Sequence, residues 1–115
     1  MSRDAAYLRH ISDATDKIAA YVAVGRDRFM TESHWQDAVI RQLEIIGEAA
    51  KQLSPELRTR HPVIPWRRIA GLRDVLIHQY MGVDVAAVWQ VTQQEVPQLQ
   101  RDIAAISIEE EGMLE

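Results

Sequence analysis

Apolar residues recur at steps of three and four along most of the 115-residue chain, and this period constrains the fold to helices. The first stretch spans 7–21 and the second 35–53, while a third covers 66–80 and a fourth 85–106. Alternation with a period of two persists nowhere, so we predict no β-sheet. Four long helices with short connections favour one all-α domain, an antiparallel up-down bundle with an added short helical turn.

Local signals predict where these helices begin and break. Ser54 followed by Pro55 predicts the short helical turn, because serine caps helices and proline suits the first helical position. Two prolines in 61–65 disfavour helix in the residues before them. Asp84 is expected to cap the fourth helix, and Pro97 to kink or split it.

The start of the second helix carries two further signals. Ser33 and Gln36 have the spacing of a capping box. Trp35 follows on the apolar face, and Trp66 holds the same place in the third helix, so both are predicted to be structural anchors. For Trp66, which two arginines follow, stacking on an RNA base is the alternative.

Charge is unevenly distributed. The net charge of −4 arises because four of the 17 acidic residues lie among the last seven residues. We therefore predict a neutral domain over 1–107 and an acidic C-terminal tail over 108–115. The segment 57–73 holds five arginines and no acid: Arg58, Arg60, Arg67, Arg68 and Arg73. Such a patch either holds a phosphate backbone or is a solvated loop.

Several classes of protein are disfavoured by composition. The chain has no cysteine, which excludes disulfides and thiolate zinc sites. Its first residues lack the apolar core of a signal peptide, and no apolar stretch is long enough to span a membrane. We expect a cytoplasmic protein with no membrane association.

The end of the third predicted helix concentrates the groups suited to chemistry. On a helix, Arg73 and Tyr80 would share a face, and Asp74 and His78 would be neighbours. Arg73 and His78 would converge only where the helix ends or distorts, and Gly82 is expected to end it.

This group of residues suits phosphodiester cleavage without a metal ion or other cofactor. A carboxylate orients the imidazole, His78 acts as general acid or base, and Arg73 stabilises the developing charge. The other histidines lack metal-binding spacing. Two alternatives stay open: the Asp–His pair caps a helix end, or Arg73 pairs with Glu44 or Glu48 of the second helix.

The order Arg, four residues, His, one residue, Tyr resembles the signature of HEPN-domain toxins of the HepT type. The flanking stretches 37–41, 43–50, 64–66 and 69–78 are similar to that family in the same order. The resemblance covers nearly the whole chain, although the acidic tail is not part of it.

The resemblance implies a HEPN helical bundle and a homodimer, with both motifs near a cleft between subunits. It implies metal-independent RNA endonuclease activity, and a minimal nucleotidyltransferase antitoxin (MNT) that transfers adenylate from ATP to the motif tyrosine. Arg73 and His78 would be catalytic, and Tyr80 would be the modification site. Asp74 would be the polar residue after the arginine, where many family members have Asn.

The expected reaction is attack of an RNA 2′-hydroxyl on the adjacent phosphorus. His78 would move the proton, Arg73 would hold the phosphorane, and Arg67 and Arg68 would steer the strand. Two other functions stay open. The chain could be a non-catalytic subunit that binds substrate or partner for a nucleotidyltransferase, or a purely structural dimer module.

Overall fold

The computed structural model describes residues 3–72, 74, 77–78 and 82–114, with only the backbone path for 77–78 and 113–114. These ranges contain seven helices: α1 (Arg3–Val22), α2 (Arg26–Thr31), α3 (Ser33–Gln52), α4 (Pro55–Arg60), α5 (Trp66–Ala70), α6 (Val85–Gln93) and α7 (Glu95–Leu114). Two short strands, β1 (Ile77–His78) and β2 (Gly82–Val83), pair antiparallel. The predicted all-α class is confirmed, with this two-residue ladder as its one departure among the described residues.

The bundle is built around α1, which packs along α3 and α7. Each of these helices turns one apolar stripe inward, as their sequence period predicts. The fully buried side chains at the centre include Ile11, Ile18, Leu43, Ile46 and Ile103. Helix α6 closes the bundle against α7 and the short helix α2. Within the described ranges, no helix combines the length and apolar character needed to cross a bilayer.

Two of the predicted caps are present. The Ser54 hydroxyl accepts a hydrogen bond from the Leu57 amide at 3.2 Å, and Pro55 occupies the first turn of α4. The Asp84 carboxylate accepts from the Ala87 amide at 3.1 Å and begins α6. Both side chains satisfy amides that have no partner inside their helix.

The predicted capping box is wrong, because an unpredicted helix precedes it. Helix α2 buries Phe29, and one buried residue in six leaves no period to detect. Ser33 is the first helical residue of α3 rather than its cap. The Gln36 amide instead reaches back and donates to the Phe29 carbonyl at 2.9 Å, which joins the two helices.

Both tryptophans pack against the core, as predicted. The indole N–H of Trp35 donates to Glu32 Oε1 at 3.0 Å, and that of Trp66 donates to the His61 carbonyl at 3.0 Å. A half-buried ring whose N–H is bonded to its own protein is held in place for packing, not for stacking on a base.

The fourth predicted helix splits in two, as expected. The break falls at Gln94, between α6 and α7. Pro97 lies in the first turn of α7, where its missing N–H removes no helical hydrogen bond.

The acidic tail continues α7 and contacts the bundle. Arg60 Nη2 lies 2.6 Å from Glu110 Oε1, and Arg60 Nε lies 3.2 Å from Glu110 Oε2. His61 Nε2 lies 3.1 Å from the same Oε2 atom. We call this group of Arg60, His61 and Glu110 the carboxy-terminal clasp. It fixes the last turns of α7 to the connection after α4, so 108–114 are not structurally separate from the domain.

We predict that Glu110→Gln lowers the thermal unfolding midpoint at pH 7. Hydrogen bonds from Arg60, with a smaller contribution from His61, hold the pKa of Glu110 below its ordinary value. A depressed carboxyl pKa gives stability that is present above the unfolded-state pKa and is lost as pH falls through the folded-state pKa.

The midpoint difference between Glu110→Gln and the wild type should therefore shrink as the pH is lowered from 7 and disappear once Glu110 is protonated in the folded protein. Calorimetry across that range measures it. Glu111→Gln, at an exposed neighbouring position, is the matched control. Equal midpoints for the wild type and Glu110→Gln at pH 7 would contradict the clasp.

Candidate active site

The segment that carries the candidate site begins where α5 ends. The Gly71 amide closes α5 by donating to the Arg67 carbonyl at 3.2 Å. Leu72, which is 2% exposed, and Asp74 both have a helical backbone. At Ile77 the backbone is already extended. The predicted continuous helix over 66–80 is therefore wrong. A glycine at the end of α5 favours termination, and β-branched Ile77 suits a strand.

This change of conformation alters the predicted geometry of the motif. The His78 backbone pairs with Gly82 in the ladder. An extended chain rises about 3.3 Å per residue against 1.5 Å in a helix, so Asp74 and His78 are not neighbours on one helix. Gly82 does not end the helix either: it lies in β2 with a φ of 77°, a conformation that glycine adopts without strain.

Arg73 and Tyr80 lie outside the described residues, as does the side chain of His78. Their catalytic and modification roles stay predictions. Asp74 is described and exposed. Arg73 and His78 were predicted to converge only if the helix ended near His78. The backbone at Ile77 and His78 is a strand and no longer helical.

The position of the motif depends on a close approach between α3 and α5. A Cβ atom added at Gly47 would lie 3.0 Å from the Ala70 carbonyl oxygen. A side chain at position 47 would crowd this carbonyl, which must then move by a few tenths of an ångström, and glycine avoids that cost. Ala70 is the last residue of α5, so this contact fixes the chain four residues before Asp74.

A groove of about 230 Å³ opens beside this contact. Its walls come from α3, the end of α5 and Asp74, and we call it the motif groove. Its charged lining consists of Glu44, Glu48, Lys51 and Asp74. The carboxylates can accept hydrogen bonds from ribose hydroxyls and from amino groups on base edges. The earlier alternative, an Arg73 pair with Glu44 or Glu48, stays open.

The two arginines predicted to steer RNA differ in their surroundings. Arg68 Nε and Nη2 lie 2.9 and 3.1 Å from the two carboxylate oxygens of Glu95, which raises the pKa of Arg68. This paired geometry engages one edge of the guanidinium, which is two of its five N–H donors. Arg67 is exposed. Sequence reasoning missed this pairing because Glu95 lies 27 positions along the chain.

No three histidine, aspartate or glutamate side chains within the described ranges are grouped closely enough to hold a metal ion.

Comparison with known proteins identifies the family. The family described as "Ribonuclease HepT-like" matches residues 11–106, which is most of the chain and includes the whole motif. The chain belongs to this HepT-like family, and its all-α bundle is the HEPN fold of that family. No solved structure matches the chain.

Curated relatives agree with this assignment. A Thermococcus cleftensis protein named "Probable ribonuclease HepT" is 42% identical over 81% of this chain and 86% of its own length. A Caldanaerobacter subterraneus protein with a provisional RNase name is 38% identical over 87% of this chain and 90% of its own. A Methanocaldococcus jannaschii protein, 43% identical over 87% of this chain, is named a gamma-glutamylcyclotransferase with a provisional RNase assignment. The chain spans 46% of that relative's length.

We predict that Gly47→Val lowers the free energy of unfolding by about 1–3 kcal/mol, the ordinary cost of overpacking. The new side chain must displace the Ala70 carbonyl. Gly112→Val is the matched control, because a Cβ there meets nothing within 4 Å. Urea unfolding of both variants measures the difference. Equal stability of the two would show that the approach of α3 and α5 does not require glycine.

Proposed function

We propose that this chain is a metal-independent RNA endonuclease. The observation that carries the proposal is the family match over 11–106, which contains Arg73, His78 and Tyr80 at the spacing typical of HepT-type toxins. The relatives named as ribonucleases support it, and so does a groove beside Asp74 whose carboxylates suit ribose and base donors.

In the proposed reaction, the 2′-oxygen attacks the adjacent phosphorus and the bond from phosphorus to the 5′-oxygen breaks. The products are a 2′,3′-cyclic phosphate and a 5′-hydroxyl. His78 moves the proton, which leaves the 2′-hydroxyl and ends on the departing 5′-oxygen. Arg73 stabilises the charge that develops on the phosphorane oxygens. Because DNA lacks the 2′-hydroxyl, it is not a substrate.

Two substitutions test the catalytic assignment. His78→Ala should lower the rate of RNA cleavage by about 10²–10⁴, and Arg73→Ala by about 10²–10³. Cleavage of a labelled RNA is followed in excess EDTA, with circular dichroism as the check on folding. A folded variant that cleaves RNA like the wild type would refute the assignment. An inactive wild type that still binds nucleotide would favour the alternative of a binding subunit.

The proposal extends to regulation. The chain would act as the toxin of a pair, as a homodimer with both motifs at the cleft between subunits. A minimal nucleotidyltransferase antitoxin would silence it by transferring adenylate from ATP to the Tyr80 hydroxyl, with release of pyrophosphate. The added phosphate carries a negative charge that Arg73 can bind in place of the RNA phosphate.

We predict that Tyr80→Phe cleaves RNA but escapes this silencing, because it lacks only the acceptor hydroxyl. Wild type and Tyr80→Phe are incubated with the nucleotidyltransferase and ATP, and intact mass is measured. Tyr7→Phe is a matched control on α1. An adenylate adduct of equal yield on Tyr80→Phe would show that another residue is modified.

A further inference from the structure

A second pocket, of about 430 Å³, lies where the start of α1, the end of α3 and the start of α4 meet. Its lining includes three cations, Arg3, Lys51 and Arg58, together with Asp4 and Ser54. We call it the basic pocket. We propose that the basic pocket binds a phosphate of the RNA strand next to the motif groove. This inference rests on the proposed function.

The charge of Asp4 is already engaged by its own protein. Its Oδ1 accepts from the Ser54 amide at 2.8 Å, and its Oδ2 accepts from the Ser54 hydroxyl at 2.6 Å. Both carboxylate oxygens are therefore directed at Ser54. The three cations outnumber this single acid, so the pocket favours an anion.

Among the residues that the structure describes, neither arginine of the basic pocket pairs with a carboxylate. Arg3 donates to the neutral Gln52 side chain at 3.2 Å and lies over the Tyr7 ring. Arg58 Nε is buried and has no hydrogen-bond partner in the part of the chain that the structure describes. A buried donor without an acceptor costs about 1–3 kcal/mol, which makes it an exception among buried polar groups. Nε is closed to solvent in this conformation, so a phosphate oxygen becomes its acceptor only when the Arg58 side chain turns toward the pocket.

The basic pocket adjoins the motif groove through one shared residue. Lys51 lines both, and within the described residues it forms a surface ion pair with Glu48 at 3.3 Å. Lys51 lies four residues beyond Gly47 on α3, which is about 6 Å along the helix axis.

The two cavities differ in charge in the way an RNA strand requires. The motif groove, with three carboxylates and one lysine, suits hydroxyl and amino donors. The basic pocket, with three cations, suits a phosphate. A strand that places its ribose and base in the groove can thus place a neighbouring phosphate in the basic pocket.

Binding of RNA that cannot be cleaved tests this site apart from catalysis. The probe is a fluorescein-labelled, fully 2′-O-methylated single-stranded RNA of mixed sequence, with anisotropy measured from 50 to 300 mM KCl. Arg3→Gln/Arg58→Gln should weaken binding at least about tenfold at 50 mM. Its plot of log affinity against log salt should be less steep by about 0.7, since the pocket holds one phosphate and each single-strand phosphate contact contributes about 0.7. Arg9→Gln/Arg26→Gln removes two exposed arginines elsewhere and should leave that slope unchanged.

Each other outcome overturns the proposal. Wild type that does not bind the probe, wild-type affinity in the double variant, or equal losses in the double variant and its control would each do so. If Arg3→Gln/Arg58→Gln loses binding of inorganic pyrophosphate but keeps RNA affinity, the pocket holds a small free anion instead. Thermal melting checks folding, and Arg58→Lys, which keeps the charge, is the substitute if Arg58→Gln does not fold.

Cleavage of unmodified RNA separates this proposal from the ribonuclease assignment. If the wild type binds the probe through these residues but cleaves no RNA, the site stands and the ribonuclease assignment fails. If the wild type cleaves RNA and Arg3→Gln/Arg58→Gln binds and cleaves equally well, the basic-pocket proposal is refuted and the ribonuclease assignment is kept.

Discussion

The close approach of α3 and α5 at Gly47 is the contact on which the rest of the candidate site depends. Without a side chain at Gly47, the Ala70 carbonyl can lie against the helix, and the chain leaves α5 at a fixed point. That point lies beside the acidic wall of α3, so the motif groove exists because two backbones touch. Helix-to-helix distances are usually 8–10 Å and are set by the side chains at the contact. At Gly47, the absence of a side chain sets the distance between α3 and α5.

Most of the fold could be predicted from the sequence because the long helices carry their own signal. The period of apolar residues located α1, α3 and α7, and short polar side chains located the caps at Ser54 and Asp84. Helix α2 could not be found in this way, since Phe29 alone faces the core. The prediction of one helix over 66–80 was wrong for a different reason. Its apolar residues fit a helical period, but the Gly71 termination and the pairing of Ile77 with Val83 determined the conformation.

The sequence allowed the candidate residues of the site to be selected. It did not allow their spatial arrangement to be predicted. Spacing and resemblance selected Arg73, His78 and Tyr80 from a short stretch of sequence. The charged contacts described near the candidate site join positions that are distant in the sequence. Glu95 pairs with Arg68, and Lys51 connects two cavities, and no local pattern marks either residue. Such contacts are properties of the packed chain, because they join helices whose relative placement the sequence period leaves open.

The break at Gln94 also changes which side of the following helix faces the core. Helix α7 presents Val96, Leu99 and Ile103 to the core, and its first residue, Glu95, faces Arg68 on α5. One residue inserted within a continuous helix turns everything after it by about 100°. Because the helix is interrupted at Gln94, the core stripe of α7 and its ion pair to α5 share one rotational setting that belongs to α7. A residue inserted within α6 would first displace the buried side chains of α6 itself, Val88 and Val91.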